Sequence, residues 1–78
     1  MDSIRFGLHD LTSIDDADVL GGVLMEALGD LCQRGLIDRG NVSIGYDEHG
    51  EPLAVDVWWE GAAGGEVREA LIAARRHR

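Results

Sequence analysis

Apolar residues recur at intervals of three and four from Leu20 onward: Leu20, Val23, Leu24, Ala27, Leu28 and Leu31. That spacing lays them along one face of an α-helix, so Asp15 to Gly35 reads as one amphipathic helix. Asp15 is placed to cap the free N–H groups of the first turn, with Asp18 three residues on. Ile14 and Val19 are spaced for a hydrophobic staple. Gly35 can take the left-handed position after the last turn, which would fold Leu36 back onto Leu31.

Elsewhere the period is two. Ile4, Phe6 and Leu8 alternate with Ser3, Arg5 and Gly7, the pattern of a half-buried strand over residues 3–8. After a short connector, Leu36 to Gly40, the residues Val42, Ile44 and Tyr46 alternate, as do Leu53, Val55, Val57 and Trp59. Asp47-Glu48-His49-Gly50 between them is turn chemistry, which predicts a β-hairpin. Pro52, near the start of the second hairpin strand, has to avoid a position that donates to the ladder. Ala54 and Trp58 make that strand apolar on both faces, the mark of a central strand. Residues 61–65, GAAGG, read as a flexible link. Val67, Ala70, Leu71 and Ala74 then predict a second amphipathic helix, opened by Glu66 and Glu69 and closed by Arg75, Arg76 and Arg78, as its dipole favours.

These elements predict a single small α+β domain over residues 1–78. It is a two-layer β-α-β-β-α arrangement, with a three-stranded antiparallel sheet of order 2-3-1 packed against two helices. Leu20, Leu24, Leu28, Leu31, Val55, Val57 and Leu71 are expected deepest in its core. The opposite sheet face would carry Trp58 among Arg5, Ser43, Gly45, Asp56 and Glu60. That face would be bare unless the chain dimerises or the second helix crosses to cover it. Were the first strand only an extended arm, the remaining α-β-β-α order would resemble the core of gas-vesicle shell proteins. Their strands are more continuously apolar than this hairpin, which Gly45, Asp47, Asp56 and Glu60 interrupt.

Charge narrows the function. The chain has 15 acids and 7 bases, all arginine, for a formal net charge of −8. The first 66 residues hold 14 acids and 3 arginines, a net −11. Such a chain is repelled by nucleic acid and by anionic membranes, and suits a partner with a basic surface. A single cysteine leaves no internal disulfide. Met1-Asp2 opens on an acid with no apolar run behind it, and no stretch approaches the ~20 apolar residues of a membrane span. A cytoplasmic protein is the expectation.

Candidate chemistry is sparse. His9-Asp10 resembles the metal-binding dipeptide of HD-type phosphohydrolases, but the further histidines and aspartate that such a site needs have no suitable place, so a polar loop is expected. Gly21-Gly22 lacks the strand-to-helix GK[ST] context of a phosphate loop and could instead admit close approach of a strand or helix. Cys32 follows Leu28 by four, which predicts a buried, inert thiol. The hairpin tip lacks calcium-loop spacing. Nucleophile–base geometry needs a Ser, Cys or Thr near a histidine, and the three histidines are expected in a loop, at a turn tip and in a frayed terminus. No catalytic residue, cofactor or metal is therefore assigned, and the chain is read as a non-enzyme.

What remains is surface. Six acids and no lysine or arginine fall between Phe6 and Gln33. Glu26 and Asp30 are like charges one helical turn apart, an arrangement that a helix selected for stability alone avoids. Asp18, Glu26 and Asp30, with Asp47, Glu48 and Glu51 at the hairpin tip, are the candidate partner-binding residues; Trp58 is the candidate for self-association. In size, acidity, lack of lysine and lack of catalytic residues, the chain resembles the anti-CRISPR inhibitors and related accessory proteins of phages in GC-rich bacteria. That resemblance implies a protein that occupies a basic nucleic-acid-binding surface on a host protein or ribonucleoprotein complex, without binding nucleic acid or membrane itself. Two other readings fit the same composition: a homo-oligomeric structural or adaptor protein, and an immunity-type inhibitor of a basic nuclease.

Overall fold

The structure, a computed structural model, describes residues 1–8, 16–61 and 64–76. Five elements follow in the order β1 (Asp2–Gly7), α1 (Ala17–Gln33), β2 (Arg39–Tyr46), β3 (Pro52–Glu60) and α2 (Gly64–Arg76). This is the β-α-β-β-α order expected. His9, Asp10, Ile14 and Asp15 lie outside the described residues, as do the centre of the GAAGG link and the last two residues of the C-terminal tail.

Local chemistry sets the ends of α1. Its N-cap is Asp16 and not Asp15: the Asp16 carboxylate accepts from the N–H groups of Asp18 (2.9 Å) and Val19 (3.1 Å). Adjacent aspartates offer the same capping oxygen, so the sequence alone does not separate them. The exit is as expected. Gly35 has φ of 76°, its N–H donates to the Cys32 carbonyl, and the Leu36 N–H donates to the Leu31 carbonyl. These paired bonds satisfy carbonyls that the helix end would leave open. α2 begins two residues before Glu66, at Gly64. Glycine costs little in a first turn, whose N–H groups have no intrahelical acceptor anyway.

All three strands are antiparallel. Counted from the β1 edge the order is β1-β3-β2; the expected 2-3-1 counts from the β2 edge. β3 lies in the centre, where an apolar strand belongs. The register stacks Ile4, Val57 and Val42 in one cross-strand row and Phe6, Val55 and Ile44 in the next. Leu20, Leu24, Leu28 and Leu31 of α1 and Val67 and Leu71 of α2 close over this face together with Trp59. Both helices therefore cover the same side of the sheet. Each of the seven residues expected in the core is buried.

Candidate functional site

Because successive side chains of a strand point to opposite faces, the rows between the core rows lie on the uncovered face. Ser3, Trp58 and Asn41 form one such row, and Arg5, Asp56 and Ser43 the next. Arg5 meets Asp56 with two bonds, Nε to Oδ1 at 2.7 Å and Nη2 to Oδ2 at 3.1 Å. Arg39, opposite Glu60, donates to its carboxylate while its guanidinium lies 6.0 Å from the Trp58 ring. The hydrogen bond from Arg39 holds the Glu60 carboxyl below the usual carboxylate range, against the opposing effect of its desolvation. Hydrogen bonds from Arg5 to Asp56 and from Arg39 to Glu60 hold both guanidiniums above their ordinary value. Trp58 is thus half-buried between two ion pairs. Hydrophobic alternation alone leaves Arg39 in the connector; the strand starts two residues earlier and brings it onto this face.

The helix acids spiral across the outer side of α1, which no other element covers among the described residues. Asp18 borders a groove of about 420 Å³ between α1 and β2 that Tyr46 lines from the other side. The start of α1 therefore sits at the hairpin-tip end of the sheet. Glu26 is exposed, and Asp30, also exposed, meets Arg34 at 3.4 Å. Asp47 shapes the hairpin tip itself, its carboxylate accepting from the N–H groups of His49 (2.8 Å) and Glu51 (3.0 Å). Its own N–H and carbonyl close the same turn, with Gly50 at φ of 80°. Glu48 faces solvent beside His49, and Glu51 is exposed. The structure brings Asp18 toward the tip acids and carries Asp30 to the far end of the helix, so the six acids form a band and not a cluster.

Two sequence expectations are corrected. Cys32 is exposed, not buried; its thiol points at the Asp38 carbonyl, 3.6 Å away. Four-residue steps gain about 40° per turn on an α-helix, so the row from Leu20 through Leu24 and Leu28 has rotated off the core by position 32. Gly21-Gly22 do not serve close approach either. A methyl group at Gly21 would reach only Val42, at an ordinary 3.9 Å, and one at Gly22 would touch nothing within 4 Å. Close packing instead requires glycine at Gly61, where a Cβ would stand 2.7 Å from the Asp38 nitrogen, and at Gly40 in the helix–sheet interface. A Cβ there would stand 2.8 Å from the Trp58 carbonyl oxygen and 3.2 Å from Leu28 Cδ2.

Among the described residues no three metal-ligating side chains come together, and no helix is long and apolar enough to cross a membrane. Fold and surface together describe a small two-layer α+β protein whose outer side is acidic. No family model, curated protein or solved structure matches the chain.

Proposed function

We propose that the protein acts by binding, as a non-enzymatic acidic inhibitor of the anti-CRISPR kind that occupies a basic nucleic-acid-binding surface of a larger complex. The observation that carries this reading is how the arginines are used. Each of the three in the first 66 residues is matched to an acid of the chain: Arg5 to Asp56, Arg34 to Asp30 and Arg39 to Glu60. Asp18, Glu26 and Glu51 have no arginine within ion-pair distance among the described residues, and Glu48 has only His49. Unmatched negative charge is therefore left along the outer side of α1 and at the hairpin tip, mounted on a helix and a turn held by the core, as well as on exposed Asp2, Asp38, Glu66 and Glu69 elsewhere. Carboxylates so mounted compete with phosphates for arginine and lysine side chains, and the field of the whole chain speeds the encounter.

The test is competition. Purified chain is expected to displace nucleic acid from a CRISPR effector complex of a GC-rich host, with association slowing as salt rises. A variant carrying Glu26→Gln, Asp30→Asn, Asp47→Asn, Glu48→Gln and Glu51→Gln should lose that displacement while its circular dichroism stays unchanged. Full displacement by the neutralised variant, or association indifferent to salt, would remove the acidic band from the mechanism. Capture of a basic nuclease in place of the effector would transfer the function to the immunity class.

A further inference from the structure

The two edges of the sheet are finished differently. β1 is short, carries Asp2 and Arg5, and has its Gly7 carbonyl occupied by Arg75 from α2. β2 is longer and has no charged residue from Gly40 to Tyr46. Charges, prolines and covering elements are what keep an edge strand from pairing with another chain, and within this segment β2 has none of them. Its one irregularity, between Gly45 and Tyr46, falls at its end.

One hydrogen bond tells which groups of β2 face outward. The Val42 N–H is taken by the side-chain oxygen of its own neighbour, Asn41, at 2.8 Å, and so is not spent on β3. Backbone groups alternate along a strand, which turns the N–H and C=O of the even-numbered residues Gly40, Val42 and Ile44 toward the open edge, where a partner strand would exchange for the Asn41 side chain at the Val42 N–H. Antiparallel pairing of two such edges about a two-fold axis must then match even residues with even residues.

We propose that this edge is where a second copy of the chain docks, its β2 antiparallel to the first about a two-fold axis at Ser43. In that register Val42 faces Ile44 of the other copy, Gly40 faces Tyr46, and Arg39 faces the Asp47 end. Both ends are complementary. Above Gly40 lies a hollow of about 300 Å³ lined by Met25, Leu28, Gly29, Cys32 and Gly40. Tyr46, 59% exposed, stands on the helix side of the sheet at the other end of the strand. The pairing seats each Tyr46 in the hollow of its partner, which Gly40 and Leu28 bound on one side and Met25, itself 46% exposed, on another. Shifting the register by two residues in either direction takes Tyr46 off the hollow and Arg39 off the acid. The same symmetric contact joins the two sheets into one of six strands.

This inference does not rest on the function proposed above; it shares only Asp47 with the acidic band, which otherwise lies on the outer side of α1 and at the tip. Sedimentation equilibrium over a range of micromolar concentrations should give a species of twice the 8.5 kDa chain mass. Amide exchange should show the Val42 and Ile44 N–H groups gaining protection as concentration rises, while that of Ser43 does not change. Ser43→Lys, which sets like charges face to face at the axis, and Tyr46→Ser should each weaken dimerisation by roughly tenfold or more, since every substitution acts twice. Both residues are exposed, so neither change is expected to disturb the monomer. Trp58→Ser should leave dimerisation intact. A chain that stays monomeric throughout, a dimer lost only with Trp58→Ser, or Val42 and Ile44 exchange that ignores concentration would each overturn the proposal.

Discussion

Replacing Gly40 by alanine adds one methyl group where β2 passes beneath α1. Its carbon would lie 2.8 Å from the Trp58 carbonyl oxygen, 3.2 Å from Leu28 Cδ2 and 3.3 Å from Trp59 Cβ. Leu28 could yield by a few tenths of an ångström. The carbonyl belongs to the backbone of the central strand and cannot yield without shifting the sheet. Overpacking of this kind costs about 1–3 kcal/mol, and the smaller entropy of the unfolded alanine chain returns only ~0.4–1 kcal/mol of it. A net loss of about 1–2 kcal/mol is expected. The same substitution at Gly22 meets nothing within 4 Å in a helix interior, and should gain ~0.8–1 kcal/mol from helix propensity alone. In a domain this small, 1 kcal/mol moves Tm by roughly 4–8 °C. Thermal and urea unfolding should therefore displace the two variants to opposite sides of the parent, with unchanged urea slopes. A Gly40→Ala variant as stable as the parent would refute the close packing of β2 under α1.

Leu28→Ala empties the point where α1 meets Gly40 and should cost about 2–5 kcal/mol in urea unfolding; a loss under 1 kcal/mol would contradict its burial. Glu26→Gln should raise stability by a few tenths of a kcal/mol by removing one of two like charges a turn apart. Asp30→Asn should gain nothing in the same melts, because it also gives up Arg34. For Glu60 the sign follows from its depressed pKa in the folded state. Its contribution is complete above the ordinary glutamate value of about 4.3 and is lost as pH falls through the lower folded value. Glu60→Gln should flatten the acid side of the pH–stability profile, and an identical profile in parent and variant would show that Arg39 does not hold the carboxylate.

Periodicity made most of the architecture legible. Two three-to-four-residue stripes, three alternating runs and a strand apolar on both faces lead to two helices on one side of a sheet with β3 at its centre. Helical phase alone would have placed Cys32 off the core. No local rule separates Asp15 from Asp16 as a cap. The other misses depend on contacts distant in the chain. Gly40 is distinguished from Gly21 and Gly22 only by what lies across the helix–sheet interface. Arg39 enters the uncovered face because β2 starts where the hydrophobic alternation has not yet begun. The candidate acids were legible as exposed residues, since charge and helical phase decide that. Their division was not drawn, although both of its causes are local: Asp30 and Arg34 stand four residues apart on one helix, and Asp47 accepts from N–H groups two and four residues on in its own turn. The outward row of β2 was also hidden, as it shows only in the bond between Asn41 and Val42.

The place of β1 has a kinetic consequence. Arg5 and Asp56, which face each other across β1 and β3, are 51 positions apart, whereas β2 and β3 are joined by a tight turn. Loop closure costs ~(3/2)RT ln n, so the hairpin and the helix beside it can assemble before the N-terminal strand finds its place. Until then β3 has one side without a neighbour, and Phe6 is missing from the core. Weakening the hairpin, as with Val57→Ala, should slow folding. Weakening β1, as with Phe6→Leu, should leave the folding rate nearly unchanged and speed unfolding. How long a folded molecule stays closed would then be set by its first seven residues, the last to join the sheet and the first to leave.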